Sequence, residues 1–373
     1  MVTFKALLDG IRLKYGEAVR CYLLRVADGY PGGMSNGPLT GREDVAVLPV
    51  TEPLAEECLA RGLAQSYEPA LAEALALSKY KIDVVFGKSG SCEFSRAKKL
   101  IWLTDFQHRY TPDLYTPAGC RAREQALRDA ADAAARIVVK SQSVARDLEM
   151  FLPQYRSKTR VIRFVSTIPP SVYELELEPV LRAYSLPDRF IYLPNQIWKH
   201  KNHETAFRAV KLLKERGERV ALVCSGFAVD SRRPDHAANL LRKRVEWGVD
   251  DQIICVGMIP HEHVLLLMRQ SVCVLNPSLF EGFGNTASEA KSLGKRVLLS
   301  DIPAHREHHA PKAGFCDPRD VADLADKMSD IWRDAAPGPD SELEQQARAD
   351  LPRRVSRVAE SFVTVAHEAV EDG

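Results

Sequence analysis

Short runs of apolar, often β-branched residues alternate with helical patterns along the second half of the chain. The runs FIYLPN, VALVCSG, QIICVG, SVCVLNPS and RVLLSD begin at residues 190, 220, 252, 271 and 296. Between them, residues 203–216 and 320–333 carry apolar residues at helical spacing. Strands that alternate with helices are typical of a parallel, doubly wound sheet. The pattern therefore predicts an α/β domain in this half.

The first half repeats this pattern less regularly. We interpret VRCYLL, VAVLPV, IDVVFG, KLIWLT and RIVVKS as strands and residues 53–78 as a helix. The segment 169–187 has four prolines and no clean period, which is typical of a linker. We thus predict two Rossmann-like domains, 1–168 and 188–335. A final segment, 340–373, has one apolar helical face, which we expect to pack on the first domain.

The chain opens with a helical pattern, although a doubly wound domain normally opens with a buried central strand. Phe4, Leu7, Leu8 and Ile11 fall at helical spacing. We predict that residues 1–15 form the first helix, and that the sequence starts downstream of the true start or another segment fills the gap. The glycine-rich stretch 28–41 is the candidate substitute for the first loop.

Composition narrows the class of partner. The chain has 373 residues, and 51 basic side chains balance 50 acidic ones, which argues against a nucleic-acid partner. Eight scattered cysteines suit a reducing compartment, and no apolar run approaches the length of a membrane span. We therefore expect a cytoplasmic protein. Arg96, Lys98 and Lys99 are either a solvated face or a contact with the inner membrane.

A glycine-rich turn, EGFGNTASEA, lies between the run at 271–278 and a predicted helix. Gly282 and Gly284 permit close approach of a ligand to the backbone, and the helix amides favour an anion such as a diphosphate. We expect Asn285 or Thr286 to cap this helix.

Two glutamates bracket the same turn. Glu289 lies early in the helix, where it could accept hydrogen bonds from a ribose diol, while Glu281 lies nearer a group attached beyond the phosphates. The alternative is a surface turn with two solvated glutamates.

Two further polar loops follow strands. In LPNQIWKHKNHETA, Lys199 and Lys201 bring positive charge to the sheet edge of the glycine turn, either to neutralise phosphate or as solvated loop lysines. In LIWLTDFQHRYTPDLYT, a polar loop follows a strand of the first half, and we expect it to face the cleft between the domains. Its polar residues are Asp105, Gln107, His108 and Arg109.

These motifs resemble the family 4 glycosyltransferases of the GT-B fold, which are retaining, nucleotide-sugar-dependent enzymes. EGFGNTASEA is similar to the Glu, seven residues, Glu signature of that family, and LGKRVLLSDIPAHRE to the strand and loop that follow it. PNQIWKHKNHE looks like its donor-diphosphate loop, and DFQHRYTPDLYT like the first-domain loop of a bacterial polysaccharide subgroup. The resemblance covers most of the chain.

The resemblance implies a role for each of these residues. Lys201 would bind the diphosphate, Glu289 the ribose, and Glu281 would face the transferred sugar. Asp105 and His108 would lie across the cleft, near the sugar or acceptor. The backbone of the turn would cradle the phosphates and sugar through Gly282, Phe283, Gly284, Asn285 and Thr286.

One position departs from the family pattern. Gln196 stands where many relatives have an arginine. We expect Lys199 to replace the charge of that arginine.

The implied function is transfer of a hexose from a nucleotide sugar to a glycan or lipid-linked glycan in bacterial surface polysaccharide synthesis. GDP-mannose is the first donor to test, and dTDP-rhamnose or a UDP-sugar remains open. No cofactor or metal is expected, since the sequence has no Asp-x-Asp pair and its histidine groups do not match zinc spacings. The alternatives are a sugar-nucleotide epimerase and a non-catalytic nucleotide-sugar-binding subunit.

Overall fold

The computed structural model describes residues 7, 11, 14, 22–26, 46–50, 82–87 and 97–372. The first part contains the strands β1 (Tyr22–Val26), β2 (Ala46–Val50), β3 (Val84–Gly87), β4 (Lys98–Trp102), β5 (Arg136–Val139) and β6 (Thr159–Val161). The second part contains β7 (Ile191–Leu193), β8 (Leu222–Cys224), β9 (Ile253–Cys255), β10 (Cys273–Asn276), β11 (Val297–Ser300) and β12 (Ala313–Cys316). Each predicted run overlaps a strand, whereas β6 and β12 were not predicted, since TRV and AGFC are short and weakly apolar.

Helices connect these strands. The first are α1 (Gln107–Tyr110), α2 (Pro117–Ala133), α3 (Gln142–Phe151), α4 (Ser171–Glu174), α5 (Leu177–Ala183) and α6 (His203–Glu215). They are followed by α7 (His236–Glu246), α8 (His261–Gln270), α9 (Asn285–Ser292), α10 (Pro303–Arg306), α11 (Val321–Asp334) and α12 (Ser341–Glu371). Short 3-10 turns span Pro112–Leu114, Pro153–Lys158 and Lys199–Lys201.

The second sheet is parallel, with the strand order β12-β11-β10-β7-β8-β9. The chain starts in the middle at β7, moves to one edge, and returns to build the other half from β10. This is the doubly wound order, in which ligands bind beyond the carboxyl ends of the two central strands. The predicted α/β architecture of this half is confirmed.

Both faces of the second sheet are buried. Ile191, Leu222 and Leu275 belong to one core with α6, α7 and α11, while Tyr192 and Val274 belong to the opposite core with α8 and α9. This alternation follows from the two-residue period of a strand.

The segment 169–187, predicted as a linker, contains α4 and α5. Val172 and Leu181 are buried in the core beside α8. Its apolar residues are too few and too closely interrupted by proline to reveal two short helices by periodicity.

The first sheet has the parallel order β3-β4-β5-β6, and β1 and β2 form a separate parallel pair. Ile101, Ile137 and Val139 pack on one face with α3, while Leu100 and Val138 pack on the other with α12. We call β3–β6 with their helices the first lobe, and β7–β12 with theirs the second lobe.

The predicted return of the last helix to the first lobe is confirmed. Val355, Val358, Ala359 and Val365 of α12 are buried against Leu100 and its neighbours. Phe86 and Phe362 meet edge to face, with ring centroids 5.0 Å apart. Arg136 and Arg160 both donate to the carboxylate of Glu368, which ties the end of α12 to β5 and β6.

Several predictions concern the beginning of the chain. Leu7, Ile11 and Lys14 are helical, and the first two side chains are buried in the core under α12, in agreement with the predicted first helix at these positions. The remainder of 1–15, the stretch 28–41 and the helix at 53–78 lie outside the described residues. Of the basic group at 96–99, Arg96 also lies outside them, and Lys98 and Lys99 begin β4.

No helix in the described part of the chain is both long enough and apolar enough to cross a bilayer.

The packing of α12 on the first lobe gives a first prediction. Val363→Ala should lower the free energy of unfolding by about 1–3 kcal/mol, because it removes buried methyl groups and leaves a small cavity. Thr364→Ala, one residue later on the exposed face, should change it by less than about 0.5 kcal/mol. Chemical unfolding of both variants measures the difference, and equal values would place Val363 outside the core.

Candidate active site

The candidate site lies at the carboxyl ends of the two central strands of the second sheet. The loop after β7 carries Lys199 and Lys201, and the glycine turn follows β10. Leu279 donates a backbone hydrogen bond of 2.8 Å to the carbonyl of His200, which ties the two loops together. Because β7 and β10 are neighbours, the loops converge at the point where the chain reverses its order along the sheet.

Lys201 and Glu281 form a buried ion pair at this point. Lys201 Nζ lies 2.7 Å from Glu281 Oε1, and the side chains are only 13% and 10% exposed. The same oxygen accepts from Ser278 Oγ at 2.8 Å and lies 3.4 Å from Asn276 Nδ2. Glu281 is therefore held among donors, and its position is fixed before any ligand binds.

The pKa of Glu281 reflects these neighbours. Burial opposes ionisation of the carboxyl, but the positive charge of Lys201, the imidazole of His305 and the hydrogen bonds from Lys201 and Ser278 outweigh it. Together they lower the pKa from its ordinary value of 4.5 to about 2. Glu281 is thus a carboxylate at neutral pH and has no proton to donate as a general acid.

A series of hydrogen bonds between amide and hydroxyl groups lies next to the ion pair. Asn195 Nδ2 donates to Asn276 Oδ1 at 3.1 Å, and Thr286 Oγ1 donates to Asn195 Oδ1 at 3.0 Å. Both asparagines are buried. Each lies at the carboxyl end of a central strand, in LPN and VLN. This shared position could have identified both asparagines from the sequence.

The lysine loop is fixed by Asn202. Its backbone is left-handed, with φ of 60°, and its Nδ2 donates to the carbonyls of Pro277 and Pro318 at 3.0 and 2.7 Å. Asn202 adopts this conformation more readily than most residues. It ends the 3-10 turn directly after Lys201 and so orients the lysine toward the glycine turn.

The N-terminus of α9 differs from its predicted form. The cap is Gly284, in the left-handed region with φ of 85°, and neither Asn285 nor Thr286 caps the helix with its side chain. The capping prediction was wrong because Thr286 Oγ1 is taken by Asn195. The first amides of α9 therefore have no side-chain acceptor and present partial positive charge, which suits an anion.

Gly282 lies where the two lobes touch. A Cβ atom there would come within 2.6 Å of the Thr104 carbonyl oxygen and 2.9 Å of Asp105 Cβ. The Gly282 carbonyl also accepts a hydrogen bond of 2.7 Å from Ser141 Oγ of the first lobe. Glycine is required at this position by the close approach of the first lobe.

Glu289 lies at the other end of the motif. Its Oε1 is 2.9 Å from His261 Nε2, and the hydrogen bond raises the pKa of that histidine. Glu289 is 14% exposed and His261 42% exposed, so the carboxylate opens toward solvent beside α8.

The predicted site residues of the first-lobe loop lie in two different environments. Asp105 Oδ1 accepts from the Gln107 amide at 2.9 Å and from Arg123 Nη2 at 2.8 Å, and Asp105 is adjacent to Gly282. His108 is buried, with Nε2 3.0 Å from Glu124 Oε2 and a buried Nδ1 that has no hydrogen-bond partner among the described residues. Asp105 thus reaches the glycine turn, whereas His108 is anchored within its own lobe. Arg109 Nε donates to the same Glu124 oxygen at 3.1 Å.

Lys199 and Gln196 are at the surface. Lys199 is 46% exposed, and its Nζ lies 3.0 Å from Asp113 Oδ2 of the first lobe. Gln196 is exposed in the loop after β7. Lys199 therefore connects the lobes at the mouth of the cleft, away from the buried pair.

Arg232 is a cleft residue that sequence reasoning missed. Its guanidinium pairs with the buried Asp230 at 2.8 and 3.0 Å and donates to Gln107 Oε1 and Tyr115 Oη of the first lobe at 2.9 and 3.1 Å. It also lies 3.5 Å from His200 Nδ1, next to Lys201. Arg232 follows β8 in an irregular loop with no motif, so nothing in the sequence distinguished it from a solvated arginine.

The histidine groups have separate contacts. His305 Nδ1 is within 3.0 Å of Ser300 Oγ, His308 Nε2 is 2.6 Å from the Phe283 carbonyl oxygen, and His263 Nδ1 is 2.8 Å from Tyr184 Oη. His305 and His308 both lie against the glycine turn. A Cβ atom added at Gly284 would come within 3.1 Å of the His305 ring.

Comparison with known proteins agrees with this geometry. The family model "Glycosyl transferases group 1" matches residues 183–350. The serotype-specific mannosyltransferase WbdA of Escherichia coli is 30% identical over 155 residues, which are 41% of this chain and 18% of WbdA. The chain thus spans less than a fifth of the length of this relative.

Two solved structures share the fold over nearly the whole chain. A glycosyltransferase from Rickettsia africae has a TM-score of 0.61 at 15% identity, covering 95% of this chain and 100% of that one. Anabaena Alr3699/HepE in complex with UDP and glucose has a TM-score of 0.57 at 15% identity, covering 94% and 99%. The two-lobed architecture is therefore that of the GT-B glycosyltransferases.

The buried pair predicts a specific pH dependence of stability. A depressed carboxyl pKa contributes stability above its ordinary value of 4.5, and this contribution is lost as the pH falls toward about 2. Lys201→Met should lower the free energy of unfolding at pH 7 by on the order of 3 kcal/mol, and the difference should shrink between pH 4.5 and pH 2.

Lys199→Met is the matched control. Its exposed pair with Asp113 should contribute less than about 1 kcal/mol at any pH. Unfolding curves of the three proteins across this pH range make the comparison, and a pH-independent loss in Lys201→Met would contradict the assignment.

Proposed function

We propose that this chain is a group 1 glycosyltransferase, which transfers a hexose from a nucleoside-diphosphate sugar to an acceptor hydroxyl with retention of configuration. The observation that carries this proposal is the Lys201–Glu281 pair beside the N-terminus of α9, at the switch point of a doubly wound sheet. A cation and a set of helix amides are there directed to one place, which is the arrangement that a diphosphate requires.

In this proposal the second lobe binds the donor. Lys201 and the backbone from Gly282 to Asn285 bind the diphosphate, and Glu289 accepts hydrogen bonds from the ribose diol. Glu281 lies next to the transferred sugar and holds Lys201 in place, since its carboxylate is ionised and fixed by Ser278.

The reaction replaces one bond of the anomeric carbon by another on the same face. The bond from the anomeric carbon to the phosphate oxygen breaks, and the acceptor oxygen forms the new bond. The departing diphosphate takes the proton of the acceptor hydroxyl. Negative charge develops on the diphosphate, so Lys201 and the amides of α9 stabilise the transition state more than the ground state.

The first lobe provides the opposite wall of the site. Asp105 packs against Gly282, where the sugar and the acceptor hydroxyl would meet. His108 is proposed as a positioning residue, because its ring is held by Glu124 under the same loop. Arg232 and Lys199 join the two lobes at the edge of the cleft, and we propose that they add positive potential beside the donor phosphates.

GDP-mannose is the donor that we propose to test first. The support is the similarity of 155 residues of the chain to the mannosyltransferase WbdA. UDP-sugars and dTDP-rhamnose are the competing outcomes of the same test. We propose a glycan or lipid-linked glycan of a bacterial surface polysaccharide as the acceptor.

A screen of nucleoside diphosphates tests the binding part of the proposal. A ligand at one hundred times its dissociation constant stabilises the protein by about 2.7 kcal/mol, which thermal denaturation detects. Release of free sugar from the matching donor then separates an enzyme from a non-catalytic binding subunit, since the latter releases none. Epimerisation of the free nucleotide sugar would indicate the rival enzyme class.

Lys201→Ala should weaken binding of the nucleoside diphosphate by roughly 10- to 100-fold, because it removes a charge-assisted contact. Binding of the corresponding nucleoside should change by less than about twofold, since that ligand has no phosphate. Titration calorimetry of the two ligands gives the comparison. The same titrations of Lys199→Ala show whether the exposed lysine shares this role. Equal losses of affinity for both ligands in Lys201→Ala would refute the assignment of Lys201.

The two glutamates should respond differently to neutralisation. Glu281→Gln should lower kcat more than it changes donor affinity, because the residue lies where charge develops in the reaction. Glu289→Gln should mainly raise the dissociation constant of the donor. Steady-state kinetics together with direct donor binding distinguish the two effects, and the opposite distribution would mean that the ends of the motif have exchanged roles.

A further inference from the structure

A second cavity lies between the lobes, behind the glycine turn. Its volume is about 490 Å³, within the range of roughly 300–1,000 Å³ typical of small-molecule sites. Its walls are the residues that follow β5 and β6, one side of α9, the segment 304–308 and the middle of α12. Lys201, Glu281 and Glu289 are not among its lining residues, but the side chain of Phe283 is, so the cavity adjoins the proposed donor site on the other side of the glycine turn.

The cavity is strongly basic. Among the described residues, two carboxylates and six cationic side chains line it, and the cationic ones are Lys140, Arg163, Lys291, Arg353, Arg354 and Arg357. Both carboxylates are already engaged. Asp350 accepts hydrogen bonds of 2.5 and 2.9 Å from Arg353, and Glu307 accepts from the amides of Gln142 and Ser143 at 2.6–2.7 Å.

Glu307 therefore stabilises the N-terminus of α3 rather than the cavity. Its other cationic neighbours, Arg146 and Arg163, are 3.8 and 3.9 Å away, beyond hydrogen-bond distance. Within the described residues, Arg354 and Arg357 therefore have no carboxylate in hydrogen-bond or ion-pair contact.

Arg354 is the central residue of this group. It is half-buried on α12, and within the described part of the chain its guanidinium has no hydrogen bond or ion pair. Burial lowers its pKa, an effect that Asp350 opposes. The pKa of Lys291 on α9 is lowered by burial and then by the charge of Arg354, with Arg163 acting in the same direction. These cations therefore repel each other across the space between the two helices.

Like charges that are partly desolvated destabilise the empty cavity, and a bound anion removes that cost. A guanidinium with unused donors is suited to the oxygens of a phosphate group. Phe164, Phe283 and Val358 add apolar surface to the same cavity, which accommodates the part of a ligand beyond its phosphate.

We propose that this cavity is a second phosphate-binding site, which takes the phosphate or diphosphate group of a ligand other than the sugar donor. Arg354 binds the phosphate oxygens, with Arg357, Arg163 and Lys291 contributing charge. The inference rests on the proposed function in one respect, which is that the diphosphate of the donor binds at Lys201. The group arrives either as a free anion or attached to a lipid, and the two sources share this chemistry.

The test begins with the protein saturated with the nucleoside diphosphate that stabilises it. Inorganic pyrophosphate, or the soluble lipid phosphate dihexanoyl phosphatidic acid, is then titrated while the melting temperature is recorded. We expect a further, saturable rise for the wild-type protein. A response to pyrophosphate identifies a free anion as sufficient, and a response to the lipid phosphate alone identifies a lipid-borne group.

Arg354→Gln should weaken the binding of the effective probe by about tenfold or more. Without ligand this variant should be at least as stable as the wild type, because it relieves a like-charge contact with Lys291, so misfolding cannot explain the loss. Arg348→Gln is the control on the same helix, where the guanidinium lies 4.3 Å from the centre of the Tyr173 ring, away from the cavity. It should bind like the wild type.

The inference is overturned if neither probe stabilises the wild-type protein or if Arg354→Gln binds normally. Nucleoside diphosphate binding by Arg354→Gln should be unchanged, so a failure here leaves the donor site standing. If no nucleoside diphosphate binds at all, the proposed function fails separately. The same titration on Lys201→Ala then tests the cavity without the other cationic site.

Discussion

The candidate site depends on the burial of one ion pair at the edge of a parallel sheet. Lys201 and Glu281 come from different loops, and each would be costly to bury without the other. Ser278 donates to the same carboxylate oxygen, Asn276 Nδ2 lies 3.4 Å from it, and the positive charge around the turn keeps Glu281 ionised. Because the pair fixes both loops, it also fixes where the amides of α9 and the lysine are presented to a ligand.

Contacts between the lobes are built around the same turn. Gly282 allows Thr104 and Asp105 to approach its backbone, and Ser141 donates to its carbonyl. Farther along the cleft, Glu307 accepts from the amides at the start of α3, and Ser166 is bonded to Ser288 of α9 at 3.0 Å. These contacts are polar, and the stacked rings of Tyr110 and Phe280 add one aromatic contact between the lobes. A cleft joined largely by hydrogen bonds can exchange them for contacts with a ligand at lower cost than one joined by an apolar core.

The last helix links the basic cavity to the stability of the first lobe. One face of α12 completes the core over β3 and β4, while Arg354 and Arg357 on another part of its surface line the basic cavity. The same helix contacts the second lobe, where Glu344 forms a double hydrogen bond with Arg269. A ligand that engages Arg354 therefore acts on an element shared by the two lobes.

The features that repeat with the period of a strand or helix could be predicted from the sequence. The alternating runs gave the two parallel sheets, the spacing of Val355, Val358 and Val365 gave the face of α12, and strand-end loops gave the Lys201 and Glu281 region. Which polar groups meet could be seen only in the folded chain. It showed that Thr286 bonds Asn195 instead of capping α9, that His108 is held by Glu124, and that Arg232 and Arg354 reach the cleft. Periodicity reports the local burial of each segment, whereas the partner of a side chain from an irregular loop or a second helix depends on contacts between residues far apart in the chain.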